Sequence, residues 1–210
     1  MAMKPDGLKD WLARNPIVAI LRGVKPDECL DIAAALDEAG IAIVEVPLNS
    51  PDPVDSIGRL AARYGGRMLI GAGTVMTARQ VGEIADAGGH LIVTPHAAGA
   101  VVQEAKTRGL LACPGFFTPT EAFTMLDLGA DGLKLFPSEA ASPAVLKAMR
   151  AVLPPGTAIL PVGGVEAATI PAWRAAGAAG FGVGSSIYKP GDTADIVAAK
   201  ARKLIAALAG

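Results

Sequence analysis

Short runs of Val, Ile and Leu alternate along the chain with Ala-rich segments whose charged residues recur at helical spacing. Small and turn-forming residues separate the runs, and several helical segments end at Gly, which readily adopts the left-handed conformation of a helix C-terminus. The pattern predicts an α/β protein with a helix over Gly7 to Arg14, followed by strands at 16–23, 41–48, 67–73, 91–95, 110–115, 131–137, 158–164 and 180–186.

The eight predicted strand–helix units follow one another without a gap long enough for a second domain. This order favours a (β/α)8 TIM barrel, a single domain over 1–210, and leaves an open doubly wound sheet as the alternative. Because the chemistry of such barrels lies at the carboxyl ends of the strands, polar residues near the strand ends are the candidates for function.

Composition narrows the range of partners. The chain is 51% apolar, and its 19 basic and 20 acidic residues give a formal net charge of -1. No basic region is available for nucleic acid or an acidic membrane surface, no apolar run is long enough to span a bilayer, and the charged amino terminus lacks the apolar core of an export signal. We therefore expect a cytoplasmic protein without nucleic-acid or membrane partners, in which Cys29 and Cys113 are reduced, structural thiols.

Two charged residues interrupt the apolar strands. Lys134 lies between two leucines, and the two-residue alternation of a strand places it on the opposite face, directed into the mouth of the barrel. Glu45 stands in the same way between two valines. Burying either charge alone is costly, so each needs a partner or a function.

A neighbouring Lys and Glu permit imine chemistry on a carbonyl substrate. Desolvation lowers the pKa of a lysine ammonium and exposes the lone pair that attacks a ketone. The resulting iminium withdraws electrons from the adjacent carbon–carbon bond, and a carboxyl group can move the protons. The alternative is a structural buried ion pair between Lys134 and Glu45.

Further candidates follow other predicted strands. Arg22 suits a carboxylate or phosphate, although it could equally be the counter-charge to Glu45. Thr74 offers a hydroxyl, although Gly-Ala-Gly-Thr is also an ordinary turn. Gly163–Gly164 and Gly184–Ser185 follow the seventh and eighth strands, where such barrels often bind phosphate on backbone N–H groups, although glycine is common at these junctions.

No metal or nucleotide cofactor is expected. His90 precedes its strand and His96 follows it, so the two histidines of the chain lie at opposite ends of the predicted barrel. Neither glycine turn fits GxGxxG or the Walker phosphate loop. His96 could contact a substrate or be a solvated loop residue, and Cys113 could pair with it as a nucleophile, although a structural buried Cys is the better interpretation.

Eight segments in this order resemble one known family. They are AILRG (19–23), EVPLNSP (45–51), IGAGTV (70–75), IVTP (92–95), CPG (113–115), KLFPSEA (134–140), PVGGV (161–165) and GVGSSIY (182–188). The family is that of the class I 2-keto-3-deoxy-6-phosphogluconate and 6-phosphogalactonate (KDPG and KDPGal) aldolases, small TIM barrels, and the resemblance spans nearly the whole chain.

The resemblance implies a role for each candidate. Lys134 would form the Schiff base, Glu45 would shuttle protons, and Arg22 and Thr74 would hold the pyruvate portion. It further implies a homotrimer that uses neither metal nor organic cofactor. Around the rest of the substrate, Phe136 would wall the pyruvate pocket and the phosphate would bind at Gly163, Gly164, Gly184 and Ser185.

Two departures from the phosphogluconate enzymes resemble the galactonate branch. Pro47-Leu48-Asn49-Ser50 replaces the usual Thr-Leu-Arg-Thr, and Val162 replaces the Thr of Thr-Gly-Gly. With Val at position 162, a hydroxyl donor near the C4 oxygen of the substrate is lost. With Asn49 at the position of the usual Arg, Arg22 is left to take more of the carboxylate charge. His96 and Phe116–Phe117 also differ from the residues usual in the family.

The resulting hypothesis is a metal-independent carbon–carbon lyase. Its substrate would be a phosphorylated keto-deoxy sugar acid, 2-dehydro-3-deoxy-6-phosphogalactonate, which it would cleave reversibly to pyruvate and D-glyceraldehyde 3-phosphate. The alternatives are the gluconate epimer or both epimers, 4-hydroxy-2-oxoglutarate, a non-catalytic sugar-phosphate-binding barrel, and a phosphate-binding isomerase with Glu45 as its base.

Overall fold

A computed structural model describes residues 7–209 as helices alternating with short strands. The strands are β1 (Ile17–Ile20), β2 (Ile43–Pro47), β3 (Leu69–Gly73), β4 (Leu91–Val93), β5 (Leu111–Cys113), β6 (Gly115–Phe116), β7 (Leu133–Leu135), β8 (Ile159–Pro161) and β9 (Phe181–Val183). The helices are α1 (Leu8–Arg14), α2 (Cys29–Glu38), α3 (Pro53–Tyr64), α4 (Ala78–Asp86), α5 (Gly99–Thr107), α6 (Pro119–Asp127), α7 (Pro143–Val152), α8 (Ile170–Ala175) and α9 (Ala194–Ala206), with a 3₁₀ turn at Ser138–Ala140.

The paired strands are parallel and form two sheets. Six strands lie in the order β5-β4-β3-β2-β1-β9, and three lie in the order β6-β7-β8. An isolated parallel bridge between Val162 and Gly182 connects the segment after β8 with β9. The prediction of a parallel α/β fold is therefore confirmed.

The fifth predicted strand differs from the prediction. Residues 110–115 were expected to form one strand, but Pro114 divides the segment into β5 and β6, which belong to different sheets. Proline has no N–H to give to a sheet ladder, which accounts for the break. The other strands lie within their predicted ranges but are shorter, so that Arg22 follows the end of β1 instead of lying inside it.

The strands separate two apolar clusters. Alternate residues such as Val44, Leu133 and Leu135 pack in the large cluster beneath the helices. The residues of the other face join a smaller cluster, to which α1 contributes Leu8 and Leu12. Because Glu45 and Lys134 alternate with members of the large cluster, they lie on the same face as the smaller one.

Local sequence explains the ends of the elements. The predicted helix before the first strand is present as α1, where the Gly7 N–H donates to Asp10 Oδ2 at 2.8 Å. Gly40 and Gly129 follow α2 and α6 with φ of 85° and 89°, the left-handed conformation expected after a helix. No helix within 7–209 has both the length and the apolar character that crossing a membrane requires.

Candidate active site

Lys134 is held in the interior by β7. The strand pairs it with Gly115 of β6 and with Leu160 of β8, and only 6% of the residue is exposed. Its Nζ lies 4.7 Å from the centre of the Phe136 ring, within the range of a cation–π contact. The amine is thus placed against an aromatic wall, away from bulk water.

Glu45 is buried on β2, between β1 and β3, with 2% of the residue exposed. Its Oε2 atom has no hydrogen-bond partner within residues 7–209. Burial raises the pKa of Glu45, and the charges of Lys134 and Arg22 act in the opposite direction. The side chain is therefore an acid whose proton is held more tightly than that of a glutamic acid in water.

Lys134 and Glu45 share one small internal cavity. Its volume is about 10 Å³, close to the space that a single water requires. Cys113 and Val162 also border it, while Leu8 of α1 is part of the lining. The two charged groups influence each other electrostatically but make no direct ion pair in the part of the chain that is described. The structural salt bridge considered from the sequence is thus not present as a contact.

A larger cleft opens above this cavity. Its volume is about 290 Å³, and Lys134 and Val162 line both spaces. Most of the predicted site residues meet here, whereas Glu45 borders only the cavity below. The cleft-lining residues among the predicted ones are Arg22, Lys134, Phe136, Val162, Gly163, Gly164, Gly184 and Ser185.

Arg22 is positioned by the loop that follows β2. Its Nη1 donates to Asn49 Oδ1 at 2.8 Å, and the adjacent Gly23 N–H donates to Ser50 Oγ at 2.9 Å. Gly23 has a φ of 85°, and a Cβ on it would lie 2.7 Å from Pro190 Cγ of the loop after β9. Arg22 lowers the pKa of Glu45 through its charge, without a direct ion pair within the described chain.

Thr74 lines neither the cleft nor the cavity. It follows β3 directly after Gly73 and has a φ of 57°, an uncommon value for a β-branched residue. The structure therefore places Thr74 one residue away from the contact between Gly73 and Glu45, at the edge of the site.

The turn after β8 carries Gly163 and Gly164 with φ of 108° and 62°. Ser138 supports this turn, since its N–H donates to Val162 O at 2.8 Å and its hydroxyl donates to Gly163 O. The side chain of Glu139 lies against both glycines, so that a Cβ on Gly164 would be 2.7 Å from Glu139 Cγ. A carboxylate thus rests beside the turn that was predicted to bind phosphate.

The turn after β9 is open on one side. A Cβ on Gly184 would meet no heavy atom of the described chain within 4 Å, which leaves room for a ligand. The Gly184 carbonyl accepts from the Ile187 and Tyr188 N–H groups at 2.9 and 3.0 Å. The Tyr188 hydroxyl donates to Glu28 Oε1 at 2.8 Å, which ties this turn to the start of α2.

Among the cleft and rim residues with charged or amide side chains in the described chain, three were not predicted as site residues. In the sequence, Asn49 stands out only as a departure from a family motif. Its contact with Arg22 forms because the loops after β1 and β2 meet. Glu139 and Lys189 both line the cleft. Glu139 lies within the KLFPSEA segment, whereas Lys189 immediately follows the GVGSSIY segment and carries no sequence signal beyond that position.

The alternative nucleophile is not supported. His96 is exposed and lies outside the cleft lining, as expected of a loop histidine, while His90 precedes β4 at the other end of the strands. Cys113 is buried, and burial raises the pKa of its thiol to about 12, so a thiolate is disfavoured at neutral pH. Cys29 is likewise a free, buried cysteine. Within 7–209, no three His, Cys, Asp or Glu residues cluster as metal ligands.

Several known proteins are similar to this chain in sequence or in structure. The chain is 44% identical over 197 residues to the 2-dehydro-3-deoxy-6-phosphogalactonate aldolase of Escherichia coli (strain K12), covering 94% of this chain and 96% of that protein. It is 46% identical over 193 residues to a protein of Rhizobium meliloti (strain 1021) named as a probable aldolase of the same type, with coverage of 92% and 91%. A solved structure described as "Native KDPGal structure" superimposes with a TM-score of 0.91 at 44% identity, covering 92% of this chain and 94% of that one.

The family model "Aldolase: KDPG and KHG aldolase" matches residues 8–201. The match includes both strands that carry the buried Lys134 and Glu45 and both glycine turns of the cleft. The resemblance inferred from the sequence is confirmed, and the chain belongs to the KDPG and KHG aldolase family.

Proposed function

We propose that the protein is a class I aldolase that cleaves 2-dehydro-3-deoxy-6-phosphogalactonate reversibly to pyruvate and D-glyceraldehyde 3-phosphate. One observation carries the proposal: a lysine and a glutamic acid, both buried, border one cavity without forming a salt bridge in the described chain. Because the two groups are not paired with each other in a salt bridge within the described chain, both are available to a substrate that enters from the cleft.

The proposal includes a single domain with a closed (β/α)8 barrel. Two observations support closure of the strands into a ring. The chain passes from β5 to β6 through Pro114, and the Val162–Gly182 bridge joins the remaining pair of strand edges. Closure would place all the strand ends around one cleft.

In the proposed reaction, Lys134 Nζ attacks the C2 carbonyl of the substrate, and loss of water gives an iminium. The C3–C4 bond then breaks, its electrons move toward the iminium, and the C4 hydroxyl becomes the aldehyde of glyceraldehyde 3-phosphate. Glu45, through a water, accepts the proton of that hydroxyl and returns a proton to C3 of the enamine. Hydrolysis of the imine releases pyruvate and restores the amine.

The environment of Glu45 suits this proton transfer. Burial raises the pKa of its carboxyl, while the nearby cations limit the rise. The pKa of such an acid is closer to neutral pH than the pKa of an exposed carboxyl. This helps the group to accept a proton and to return it. The cavity beside it has room for one water that could carry the proton.

The remaining site residues would bind the two ends of the substrate. Arg22 would meet the carboxylate, with Thr74 at the edge of this region and Phe136 as its wall. The phosphate would bind on the backbone at Gly163–Gly164 and at Gly184–Ser185, where the surface above Gly184 is open. Among the family's activities, cleavage of 4-hydroxy-2-oxoglutarate is disfavoured because these turns would then have no phosphate to bind.

Borohydride trapping tests the covalent step. Reduction in the presence of pyruvate is expected to add the mass of a reduced pyruvate imine to the peptide containing Lys134, and Lys134→Met is expected to abolish the adduct. Lys203→Met, a change on the exposed face of α9, is the matched control and should keep it. Absence of an adduct in the unmodified protein would favour a non-catalytic sugar-phosphate-binding barrel, and normal turnover by Lys134→Arg would favour an isomerase.

Steady-state assays with both epimers test the substrate. We expect a higher kcat/KM for the phosphogalactonate than for the phosphogluconate. The names of the two relatives reported above and the presence of Val162 both favour the former. A clear preference for the gluconate epimer would contradict this part of the proposal.

A homotrimer and a cytoplasmic location also belong to the proposal. Two free, buried cysteines fit a reducing compartment. Sedimentation velocity of the purified protein tests the oligomeric state, and a monomer would contradict the proposed trimer.

A further inference from the structure

We propose that the Lys189 ammonium binds the phosphate of the substrate, as a positively charged complement to the backbone N–H groups of the two glycine turns. This inference rests on the proposed function. It assigns to the site a residue that lies outside the eight sequence segments that resemble the family.

The charge of the cleft supports this role. The proposed substrate brings a carboxylate and a phosphate that is close to dianionic at neutral pH. Three cations line the cleft, namely Arg22, Lys134 and Lys189, and the carboxylate that lines it belongs to Glu139. Arg22 is hydrogen-bonded to Asn49 of the loop after β2, and Lys134 would be engaged in the imine. Lys189 is therefore the cation left for the phosphate.

The ammonium of Lys189 is also uncommitted. Within 7–209 the structure gives it neither a hydrogen bond nor an ion pair. Asp192, an acid in the same loop, instead has its Oδ2 bonded to the Lys200 ammonium at 2.5 Å and to the Lys189 backbone N–H at 2.7 Å. The loop therefore fixes the main chain of Lys189, while the Lys189 ammonium acts on Asp192 only through its charge, without a direct bond between the two side chains.

The main chain around Lys189 is anchored at the phosphate end of the cleft. Gly184 lies at the start of the same turn, and the preceding Tyr188 is buried and bonded to Glu28. The following Pro190 packs against Gly23 of the loop after β1. Lys189 and Gly184 line the same cleft, so a long, flexible side chain starts here from an anchored backbone beside the space in which the phosphate would bind.

The aldol addition direction gives a direct test, because its acceptor can be supplied with or without phosphate. Lys189→Met keeps the apolar stem and removes the charge. We expect it to raise the KM for D-glyceraldehyde 3-phosphate about 10-fold or more, the order expected for a hydrogen bond to a charged group. The KM for pyruvate and the rate with unphosphorylated D-glyceraldehyde should stay close to those of the unmodified protein.

Two further variants make the result specific. Lys189→Arg retains the charge and should recover most of the affinity for the phosphorylated aldehyde, whereas Lys203→Met controls for the loss of one exposed positive charge elsewhere. The inference is overturned if Lys189→Met and Lys203→Met have the same KM for D-glyceraldehyde 3-phosphate.

Calorimetric titration with inorganic phosphate separates this inference from the proposed function. Lys189→Met is expected to weaken phosphate binding about 10-fold, whether or not the protein turns over an aldol substrate. Failure of borohydride trapping would refute the aldolase proposal alone, while equal phosphate affinity in Lys189→Met and the unmodified protein would refute the role of Lys189 alone.

Discussion

The carboxylate of Glu45 rests directly against Gly73, the last residue of the neighbouring strand β3. A Cβ on Gly73 would overlap Glu45 Oε2 and lie 2.5 Å from its Cδ. The position of the proposed proton carrier therefore depends on the absence of a side chain at Gly73, which the sequence shows only as the second glycine of a Gly-Ala-Gly run.

Gly73→Ala is expected to displace the Glu45 carboxylate while leaving the fold intact, because the obstructing atoms belong to the end of a flexible side chain. We expect kcat for pyruvate formation to fall by about 10²-fold or more, the range associated with loss of a positioned general acid–base group. The matched control is Gly66→Ala, where a Cβ would meet no heavy atom of residues 7–209 within 4 Å. Equal kcat values for the two variants would show that the Glu45–Gly73 contact has no functional role.

Glu45→Gln should change the dependence of stability on pH. Burial raises the pKa of Glu45 above its ordinary value of 4.5, so the folded state binds this proton more tightly than the unfolded state does. The resulting stability is fully present below the unfolded pKa and is lost as pH rises through the folded pKa. The free energy of unfolding of Glu45→Gln, relative to the unmodified protein, should therefore increase with pH above about 4.5 and then level off.

Urea unfolding at a series of pH values measures this difference. Lys134→Met removes a charge that lowers the pKa of Glu45, so it should extend the loss of stability to higher pH. If the difference in the free energy of unfolding between Glu45→Gln and the unmodified protein does not change with pH, the assignment of a raised pKa to Glu45 is wrong.

Substitutions at Asn49 should act through Arg22. Asn49→Ala removes the acceptor of the 2.8 Å hydrogen bond and is expected to raise the KM for pyruvate by about 3- to 10-fold, since a single hydrogen bond of this kind is worth about 1 kcal/mol. Asn49→Asp should raise it further, because a carboxylate at this position would compete with the pyruvate carboxylate for Arg22. If Asn49→Asp has the same KM for pyruvate as the unmodified protein, Asn49 does not act on pyruvate binding through Arg22.

Val162→Thr should shift the preference between the two epimers. Val162 is 7% exposed and borders both the cleft and the cavity, so a hydroxyl placed there would be nearly buried. An unpaired buried hydroxyl costs about 1–3 kcal/mol, which only the substrate with a suitably placed C4 oxygen would offset. The ratio of kcat/KM for gluconate over galactonate should rise by about 5-fold or more, and an unchanged ratio would contradict a role of Val162 in selectivity.

Glu139 competes for the proposed phosphate position. Its carboxylate lies against Gly163 and Gly164, where the phosphate would need the same backbone surface. Glu139→Gln should therefore lower the KM for D-glyceraldehyde 3-phosphate by about 2- to 5-fold, as expected when one solvent-exposed like charge is removed. Glu38→Gln, an exposed change on α2, is the control, and the same KM for both variants would refute the competition.

The parts of the site that lie on strands could be predicted from the sequence. The two-residue alternation of a strand is strict, so Lys134 between two leucines had to face away from the cluster in which those leucines pack. Glu45, between two valines of that cluster, lies on the same face for the same reason, and parallel strands bring both residues to one end. Local pattern thus carried enough information to bring these two residues to one cavity.

The parts that depend on loops could not be predicted in this way. The Arg22–Asn49 bond joins the loops after two different strands, and its formation depends on how β1 and β2 are paired. The position of Glu139 over the glycine turn depends on a 3₁₀ turn that has no periodic signal. Lys189 resembles any other solvated loop lysine until the cleft around it is known.

The contact between Gly23 and Pro190 joins loops from the first and the last strand. A nascent chain on the ribosome therefore exposes Arg22 and Glu45 long before Lys134 and Lys189 are synthesised. Until β9 has emerged, one side of the rim is missing, and sugar phosphates in the surrounding medium have no assembled pocket to occupy. Binding of a sugar phosphate at the proposed site would consequently protect only the finished molecule from unfolding and proteolysis, while the growing polypeptide relies on its own apolar clusters.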